Sequence, residues 1–309
     1  MVLAAGRGER MQPLSCVLPK PALPVLDQPV VASALRLATT IGIERLVVNT
    51  WHLAEAMERA LAEIDLGIEI AVSREPELMD TAGGIALARD RGLLGERDPV
   101  LIINGDGWLN LNLDPLLERM TRSGDRVSLA LLPHLDPLRW SRVILDPAGL
   151  VHCIKKAGQP DSNEVPFLYP GVMLVAREAL NELTALPGAI AEHLWRPALA
   201  NRRLGGVVVS GHWREIGSPS DYLAAVLGRL GGGAAVIHPS AEVAPSAEVS
   251  ASFIGRDARV AEGSVVKESV IAEGATVSPN TRVLRSVLFG EIFTEPGEVV
   301  IDEFRAART

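Results

Sequence analysis

The residues best placed to do chemistry are two cations that follow a glycine-rich turn near the start of the chain. Gly6 and Gly8 come directly after the short apolar run 2–5, and Arg10 and Lys20 lie just beyond them. Glycine permits positive φ and lets backbone N–H groups approach an anion closely. Arginine can fork onto phosphate oxygens, whereas lysine supplies a compact point charge. The pattern therefore predicts a grip on a triphosphate.

Two familiar phosphate-binding fingerprints do not describe this turn. Met11 stands where the third glycine of G-x-G-x-x-G would be, and Pro13 suits a loop better than the opening of a helix. The pattern G-x-x-x-x-G-K-[ST] is also missing from this segment. A lone G-x-G is weak evidence, so its meaning depends on the residues around it.

Two carboxylates elsewhere in the chain could complement the cations. Asp106 is flanked by glycines at the end of the apolar run 100–103, and the carboxyl ends of strands are where α/β sheets place ligands. Glu215 lies in the segment Trp213-Arg214-Glu215-Ile216-Gly217. Carboxylate oxygens suit Mg²⁺, which bridges phosphates. The alternative for Asp106 is a residue that only forms a turn.

Apolar runs and amphipathic stretches alternate from residue 2 to about residue 230. We expect strands at 45–49, 68–72 and 100–104, and helices near 30–41 and 53–64. Segment 127–153 has consecutive β-rich pieces without helices between them, which favours an antiparallel or mixed portion. The pattern predicts an α/β fold with a Rossmann-like mixed sheet over residues 1–230.

A glycine-rich connector after residue 228 marks a domain boundary, which we place between domains 1–230 and 231–309. The second domain has an internal repeat of 17 residues, with coils at 237–253, 254–270, 271–287 and 288–304. Valine recurs at the thirteenth position of each coil, at Val249, Val266, Val283 and Val300. The spacing resembles the left-handed β-helix of hexapeptide-repeat proteins, with one residue fewer per coil.

The coils could serve more than one purpose. We expect them to cap the first domain or to form a subunit contact in a homo-oligomer, because the ends of a repeat need covering. Such coils can also carry acyltransferase sites, and His238 lies in the first coil. A histidine at this position is more often structural or exposed.

Composition limits the class of protein. The chain has 309 residues, a formal charge of −8 and 48% hydrophobic residues, which predicts an ordinary globular protein with no nucleic-acid partner. Cys16 and Cys153 have no C-x-x-C or Cys/His spacing, so neither a disulfide framework nor a zinc site is indicated. We find no secretory signal and no apolar run long enough for a membrane span, so we expect a cytoplasmic protein.

The pattern L-A-A-G-x-G-x-R-M-x-P-L, followed by P-K-P at 19–21, resembles the signature of the sugar-1-phosphate nucleotidyltransferases. These enzymes join a nucleoside triphosphate to a sugar 1-phosphate and release pyrophosphate. The P-K-P variant, the T-A-G-G at 81–84 and the β-helical tail look most similar to mannose-1-phosphate guanylyltransferases. The resemblance implies GTP and mannose 1-phosphate as substrates and Mg²⁺ as the cofactor.

The resemblance also implies roles for individual residues. The catalytic residues would be Arg10, Lys20 and Lys156, where the last stands at the lysine of the family's E-K-P segment. The metal ligands would be Asp106 and Glu215, although the family has an aspartate where this chain has Glu215. Sugar binding would fall to Tyr169 and Gly171. The nucleotide would contact Leu3, Ala5, Gly6, Gly8, Glu75, Thr81, Gly83, Gly84 and Gly105.

Three alternatives remain open from the sequence. The enzyme could transfer a uridylyl, thymidylyl or adenylyl group to another sugar 1-phosphate. The unusual Glu215 and the altered Lys155-Lys156-Ala157 segment would also fit a sugar-nucleotide sensor or regulatory subunit with weak catalysis. A cytidylyltransferase acting on phosphocholine-like alcohols is the third, although such enzymes rarely need a β-helical tail.

Overall fold

The computed structural model describes residues 1–134, 136, 138–158, 164–231 and 233–307. Its contacts divide the chain into two compact units. The α/β unit consists of Met1–Gly6 and Val31–Trp213, and the coil unit consists of Arg7–Val30 and Arg214–Thr309. This division differs from the predicted boundary at residue 230, because the loop 7–30 and the segment that follows Trp213 belong with the coils.

The secondary structure up to the coils alternates as the sequence predicts. In chain order the strands are β1 Val2–Leu3, β2 Pro24–Val25, β3 Gln28–Pro29, β4 Leu46–Thr50, β5 Ile70–Arg74, β6 Val100–Asn104, β7 Gly107–Leu111, β8 Val127–Pro133, β9 Arg142–Leu145, β10 Val151–Lys155, β11 Phe167–Leu168, β12 Val172–Val175, β13 Leu204–Val208 and β14 Gly211–Glu215. The helices are α1 Val31–Thr39, α2 Ala54–Ala62, α3 Asp80–Asp90, α4 Asp114–Arg122, α5 Arg177–Asn181, α6 Arg196–Ala200 and α7 Pro219–Leu230. A π-helical turn, Ala191–Trp195, precedes α6.

The α/β unit is built on a mixed sheet with the strand order β10-β9-β11-β8-β12-β6-β1-β4-β5, and β13 pairs with β8. The strands β6, β1, β4 and β5 are parallel neighbours, whereas β12 runs antiparallel to both β6 and β8. Strand β4 is buried along its whole length, as expected for a strand covered on both faces. The Rossmann-like mixed sheet predicted from the sequence is thus confirmed.

The core of the α/β unit lies between the sheet and the helices that cover it. Ile102 on β6, Leu129 on β8 and Met173 on β12 pack in one buried cluster with Ile85 of α3. These strands are apolar because both their faces are covered, so burial rather than alternation sets their composition. The packed strands hold their carboxyl ends in fixed positions.

The coil unit contains a β-helix whose strands are β15 Val236–Ile237, β16 Glu242–Val243, β17 Glu248–Ser250, β18 Phe253–Ile254, β19 Arg259–Val260, β20 Val265–Lys267, β21 Val270–Ile271, β22 Thr276–Val277, β23 Arg282–Leu284, β24 Val287–Phe289, β25 Val299–Ile301 and β26 Phe304–Ala306. They form three parallel faces, ordered β15-β18-β21-β24-β26, β16-β19-β22 and β17-β20-β23-β25. Partners such as Val249 and Val266 differ by 17 in number, so the predicted repeat is the register of the sheets. The arrangement is consistent with a left-handed β-helix.

The repeating valines line the inside of the coils. Val260, Val266, Val277 and Val283 are buried in a single cluster, and Val300 of the last coil joins them. Each coil buries these side chains against the next one, because no single coil could cover them alone. Among the helices of the described ranges, none combines the length and the apolar character that a membrane crossing requires.

Candidate functional site

The predicted phosphate loop folds around Gly8, within the coil unit. Gly8 has a φ of +65°, and a Cβ added there would lie 3.1 Å from the Cβ of Ser15. The Ser15 hydroxyl donates a hydrogen bond to the Gly8 carbonyl over 2.8 Å, and the Met11 N–H donates to the same oxygen over 2.8 Å. Both the left-handed backbone and the crowded neighbour explain why this position is glycine.

The two cations predicted to bind phosphate differ in exposure. Lys20 begins the short turn Lys20–Ala22 and is only 7% exposed, and its Cβ lies 3.7 Å from where a Cβ at Gly8 would be. The Arg10 side chain is 76% exposed, and its Nη2 lies 3.6 Å from Oε1 of Glu215. An ion pair of this kind contributes about 0–1 kcal/mol in water. Arg10 can therefore exchange it for a phosphate at little cost.

Glu215 ends β14, and its carboxylate lies over Gly217. A Cβ at Gly217 would be 2.9 Å from Oε1 of Glu215 and 3.3 Å from Oδ2 of Asp221, so glycine leaves room for both carboxylates. Asp221 is engaged in capping α7, because its N–H donates to the Ser218 hydroxyl over 3.2 Å and its Oδ2 accepts from that hydroxyl over 2.8 Å. Glu215 is paired with Arg10 rather than with the helix cap, and its role as a metal ligand stays a prediction.

Asp106 occupies the turn between β6 and β7, in the α/β unit. Gly105 brings this turn close to β1, because its N–H donates to the Leu3 carbonyl over 2.8 Å. A Cβ at Gly105 would lie 2.9 Å from the Val2 side chain and 3.0 Å from the Leu3 oxygen. The turn therefore requires glycine for packing, and it places half-buried Asp106 at the carboxyl end of a central strand, as predicted.

The donor chemistry of Asp106 and Glu215 fits Mg²⁺. The ion prefers hard oxygen ligands and usually takes one or two carboxylates, with phosphates and water completing its octahedral shell. Over the described ranges, no group of three or more histidine, cysteine, aspartate or glutamate side chains could hold a metal ion by itself. A shared metal on Asp106 and Glu215, which lie in different units, stays a prediction.

The predicted sugar-side glycine lies beside the strand that ends at the carboxylate turn. Gly171 has a φ of +88°, and its carbonyl accepts the Asn104 N–H over 2.8 Å. A Cβ at Gly171 would lie 2.7 Å from the Asn104 side chain. Tyr169 packs edge-on against Trp195 with ring centroids 5.1 Å apart, and burial raises the pKa of its hydroxyl. Gly171 is thus close to the Asp106 strand, and the sugar contacts of Tyr169 and Gly171 stay predictions.

Other glycines predicted to frame the nucleotide are required by the protein itself. In α3, a Cβ at Gly83 would collide with the Leu186 carbonyl, and one at Gly84 would collide with the Glu75 carboxylate. Thr81, in the first turn of the helix, donates its N–H to Oδ1 of Asp80 over 2.7 Å. Packing inside the protein explains Gly83 and Gly84 without a ligand, and nucleotide contact by these residues and Thr81 stays a prediction.

Gly6 is the exception among the predicted nucleotide-binding glycines. A Cβ added at Gly6 would meet no heavy atom within 4 Å in the part of the chain that the structure describes. Its neighbour Ala5 is buried, and Leu3 is half-buried at the end of β1. Since no described atom crowds this position, Gly6 is, among the predicted nucleotide-binding glycines, the one whose identity a ligand would best explain.

A buried polar network that the sequence analysis did not predict lies behind these segments. Asn49, near the end of β4, accepts the Ala4 N–H at Oδ1 over 2.7 Å and donates from Nδ2 to Oε1 of Glu75 over 2.7 Å. The other oxygen of Glu75 accepts the Met79 N–H over 3.0 Å. Burial raises the pKa of the Glu75 carboxyl, although the bonds from Asn49 and Met79 act to lower it. A polar residue closing an otherwise apolar strand, as in Leu46–Thr50, was the one available signal.

Lys156 lies one residue beyond the end of β10 and is exposed. Its neighbour Lys155 is the last residue of that strand and pairs with Glu164 over 2.5 Å. The segment 159–163, between these two partners, lies outside the described residues. The role of Lys156 toward a sugar phosphate stays a prediction.

Comparison with known proteins defines the class. Residues 1–229 match the nucleotidyl transferase family, and this match covers the α/β unit and part of the coil unit. The chain belongs to this family and is a sugar-1-phosphate nucleotidyltransferase. The resemblance seen in the first residues of the sequence is thereby confirmed.

Several of the relatives found are mannose-1-phosphate guanylyltransferases. The chain is 24% identical to a probable mannose-1-phosphate guanylyltransferase 3 from Oryza sativa subsp. japonica, over 92% of this chain and 82% of that protein. It is 26% identical to mannose-1-phosphate guanylyltransferase 1 from Arabidopsis thaliana, over 72% of this chain and 62% of that protein. A putative mannose-1-phosphate guanyltransferase from Sulfolobus acidocaldarius is also 26% identical, over 88% of this chain and 75% of that protein.

Solved structures share the fold. HddC from Yersinia pseudotuberculosis superimposes with a TM-score of 0.59 at 18% identity, over 73% of this chain and 96% of that one. A second structure of that protein, in complex with GMP-PN, superimposes with the same TM-score of 0.59. At this identity the likeness bears on the fold alone.

Proposed function

We propose that this protein transfers a guanylyl group from GTP to mannose 1-phosphate, giving GDP-mannose and pyrophosphate. The observation that carries the proposal is the folded turn at Gly8, which holds Lys20 beside it. Arg10 lies two residues further along the chain. The base and the sugar rest on the names of the relatives and on the residue pattern.

In the proposed reaction, an oxygen of the sugar phosphate attacks the α-phosphorus of the triphosphate in line. The new phosphorus–oxygen bond forms as the bond to the β-phosphate oxygen breaks, and the electron pair leaves with pyrophosphate. Arg10 and Lys20 would neutralise the charge that develops on the departing pyrophosphate. Lys20 suits this role because a lysine held in a partly dry position interacts more strongly with an anion than one in water.

Other residues would orient the reactants. Lys156 would attract the attacking phosphate, and Tyr169 and Gly171 would bound the sugar. Asp106 and Glu215 would hold Mg²⁺, which supplies charge neutralisation for the reacting phosphates when bound. Gly6 would let the nucleotide approach the backbone closely.

A substrate panel tests the proposal. Pyrophosphate release is measured with GTP, UTP, dTTP, ATP and CTP against the 1-phosphates of mannose, glucose and N-acetylglucosamine. We expect the highest kcat/KM with GTP and mannose 1-phosphate. A preference for another pair would replace the proposed substrates but keep the reaction class. Phosphocholine is assayed as a further acceptor, and a response to it with CTP alone would favour the cytidylyltransferase alternative.

A sugar-nucleotide sensor is the second candidate. It is favoured by the 3.6 Å contact between Arg10 and Glu215 and by the alanine after Lys156. Glutamate is longer than aspartate by one methylene, and Mg²⁺ tolerates little displacement of its ligands. GDP-mannose binding without pyrophosphate release from any pair in the panel would support the sensor.

Assembly and location are part of the same proposal. We infer a cytoplasmic homo-oligomer that uses the coils for its subunit contact, and no nucleic-acid partner. Val299 and Ile301 on β25 are 55% and 41% exposed, which gives the β17-β20-β23-β25 face an apolar edge. Analytical ultracentrifugation of wild-type protein and of Val299→Lys tests the contact: we expect an oligomer that the lysine disrupts.

A further inference from the structure

The network of Asn49 and Glu75 joins two parts of the α/β unit that are distant in sequence. One is the strand-to-loop segment at Ala4, inside the L-A-A-G signature. The other is Met79, which directly precedes α3 with its T-A-G-G segment. Asn49 and Glu75 connect them through bonds of 2.7, 2.7 and 3.0 Å. Each end of the network is a backbone N–H, so the network fixes main-chain positions rather than side chains.

The network is buried and closely packed. Asn49 is 3% exposed and Glu75 is 7% exposed. A Cβ at Gly84 would lie 3.0 Å from Nδ2 of Asn49 and would collide with the Glu75 carboxylate, so α3 also packs directly against the pair. A buried polar group that loses its hydrogen-bond partner is destabilising, because nothing then compensates for its removal from water. Neither side chain can turn away without leaving such a group behind.

The bonding also dictates the residue types. Asn49 must accept at one atom and donate at the other, which an amide can do and a carboxylate cannot. Glu75 must accept at both oxygens, which a carboxylate can do and an amide cannot. The pair is therefore matched, and either partner can be mismatched by a nearly isosteric change.

We infer that Asn49 and Glu75 are positioning residues, which set the spacing between the L-A-A-G loop and the start of α3 and thereby the fit of the nucleoside triphosphate. This inference rests on the proposed function, because both segments are the ones expected to contact the nucleotide. The pair acts through the main chain and touches no reacting group. Its effect should fall on nucleotide binding, which is common to ground state and transition state, and hence on KM more than on kcat.

Two single variants and their combination test the pairing. Asn49→Asp places two carboxylates together. Glu75→Gln places a donating NH₂ group opposite one of the two N–H donors, those of Asn49 and Met79. The double variant N49D/E75Q restores a matched set, because the aspartate accepts from Ala4 and from the glutamine, whose oxygen accepts from Met79. KM and kcat are measured with GTP and mannose 1-phosphate, or with the pair that wild type prefers in the panel.

We expect each single variant to raise KM for the triphosphate by about 10-fold, the equivalent of one unsatisfied buried group. The kcat should change by less than about 3-fold, and the double variant should return KM to within about 3-fold of wild type. Asp125→Asn is the matched control, because Asp125 is 5% exposed and binds Arg119 at 2.7 Å and Ser128 at 2.8 Å in the same unit. It should lower stability and leave KM unchanged.

Three outcomes would overturn the inference. They are single variants with wild-type KM, a rise in KM in Asp125→Asn as large as in the single variants, or a folded double variant whose KM stays raised. The double variant keeps the test decisive if a single variant does not fold. A wild-type protein without turnover on any pair contradicts the proposed function instead, and the cycle is then measured as GTP·Mg²⁺ affinity by calorimetry.

Discussion

The two compact units satisfy their buried polar groups in opposite ways. In the α/β unit, Asn49 and Glu75 form a network that connects residues distant in sequence and does not repeat along the strands. In the coil unit, the Ser252 hydroxyl accepts the Ser269 N–H over 3.0 Å, and the Ser269 hydroxyl accepts the Ser286 N–H over 3.1 Å. The Ser286 hydroxyl continues the ladder by accepting the Glu303 N–H over 3.0 Å.

The ladder follows from the repeat. Each of these serines follows a residue with left-handed backbone, at Ala251, Glu268 and Arg285. At each of these positions, the serine hydroxyl of one coil accepts a hydrogen bond from a backbone N–H of the next coil. Because the rungs are equivalent, the coils distribute their stability over many similar bonds. The Asn49–Glu75 network is not part of a repeat, so no equivalent bonds can substitute for it, which makes it suited to fix one geometry.

The largest effect should come from Asp106, in the turn that follows β6. Asp106→Ala should reduce kcat by about 10² to 10³, by analogy with the loss of one group that stabilises transition-state charge. The fall in kcat is measured in timed assays of pyrophosphate release. Asp90→Ala, which removes an exposed carboxylate, is the control and should keep the wild-type rate. Turnover near wild type in Asp106→Ala would remove this residue from the proposed site.

A rung of the ladder should affect stability and not catalysis. Ser269→Ala leaves the buried Ser286 N–H without its acceptor, so we expect a loss of about 1–3 kcal/mol in the free energy of unfolding. Urea denaturation measures the loss, and KM for the triphosphate should stay unchanged. Ser252→Ala should behave alike because it removes the equivalent rung. A change in KM from either variant would contradict the expectation that the serine ladder affects stability alone, whereas the Asn49–Glu75 network affects nucleotide binding.

Gly6→Ala should separate ligand binding from folding. A Cβ at this position meets no described heavy atom within 4 Å, so the melting temperature should stay within about 2 °C of wild type. KM for the triphosphate should rise by about 10-fold if the nucleotide approaches the backbone here. Gly124→Ala is the matched control, since its Cβ also meets nothing within 4 Å. Equal KM values for both variants would place the nucleotide elsewhere.

The smallest effect concerns pH. Burial raises the pKa of Glu75 above its ordinary value of 4.5, so the folded protein holds this proton more tightly than the unfolded chain does. The resulting stabilisation is fully present below pH 4.5 and is lost as the pH rises through the pKa of the folded state. Wild-type stability relative to Glu75→Gln should therefore fall across that window. Parallel urea titrations at several pH values measure the difference, and parallel curves would show that Glu75 does not titrate there.

Local patterns in the sequence predicted the elements and the repeat. The strand Val100–Asn104 and the coil valines are visible because burial imposes apolar runs and a fixed period. The position of Asp106 was predicted in a similar way. It follows an apolar strand, and the carboxyl ends of strands are where α/β sheets bind ligands.

Non-local contacts escaped prediction. Asn49 bonds residues that lie 45 and 26 positions away, and nothing in a local window indicates such partners. Gly83 and Gly84 are expected to contact the nucleotide, and the sequence did not indicate that packing against Leu186 and Glu75 also requires glycine at these positions. The assignment of loop 7–30 to the coil unit was also invisible, because it depends on contacts with residues near the end of the chain.

The contact between loop 7–30 and the last coils has a practical consequence for protein engineering. Val17 of the phosphate loop lies 3.4 Å from where a Cβ at Gly290 would be, and the turn Leu14–Cys16 packs against β26. A chimera that keeps residues 1–230 and replaces the coils would cut through the coil unit and leave the phosphate loop against a foreign surface. Exchange points at 6/7, 30/31 and 213/214 would instead move the loop and the coils together as one inherited part.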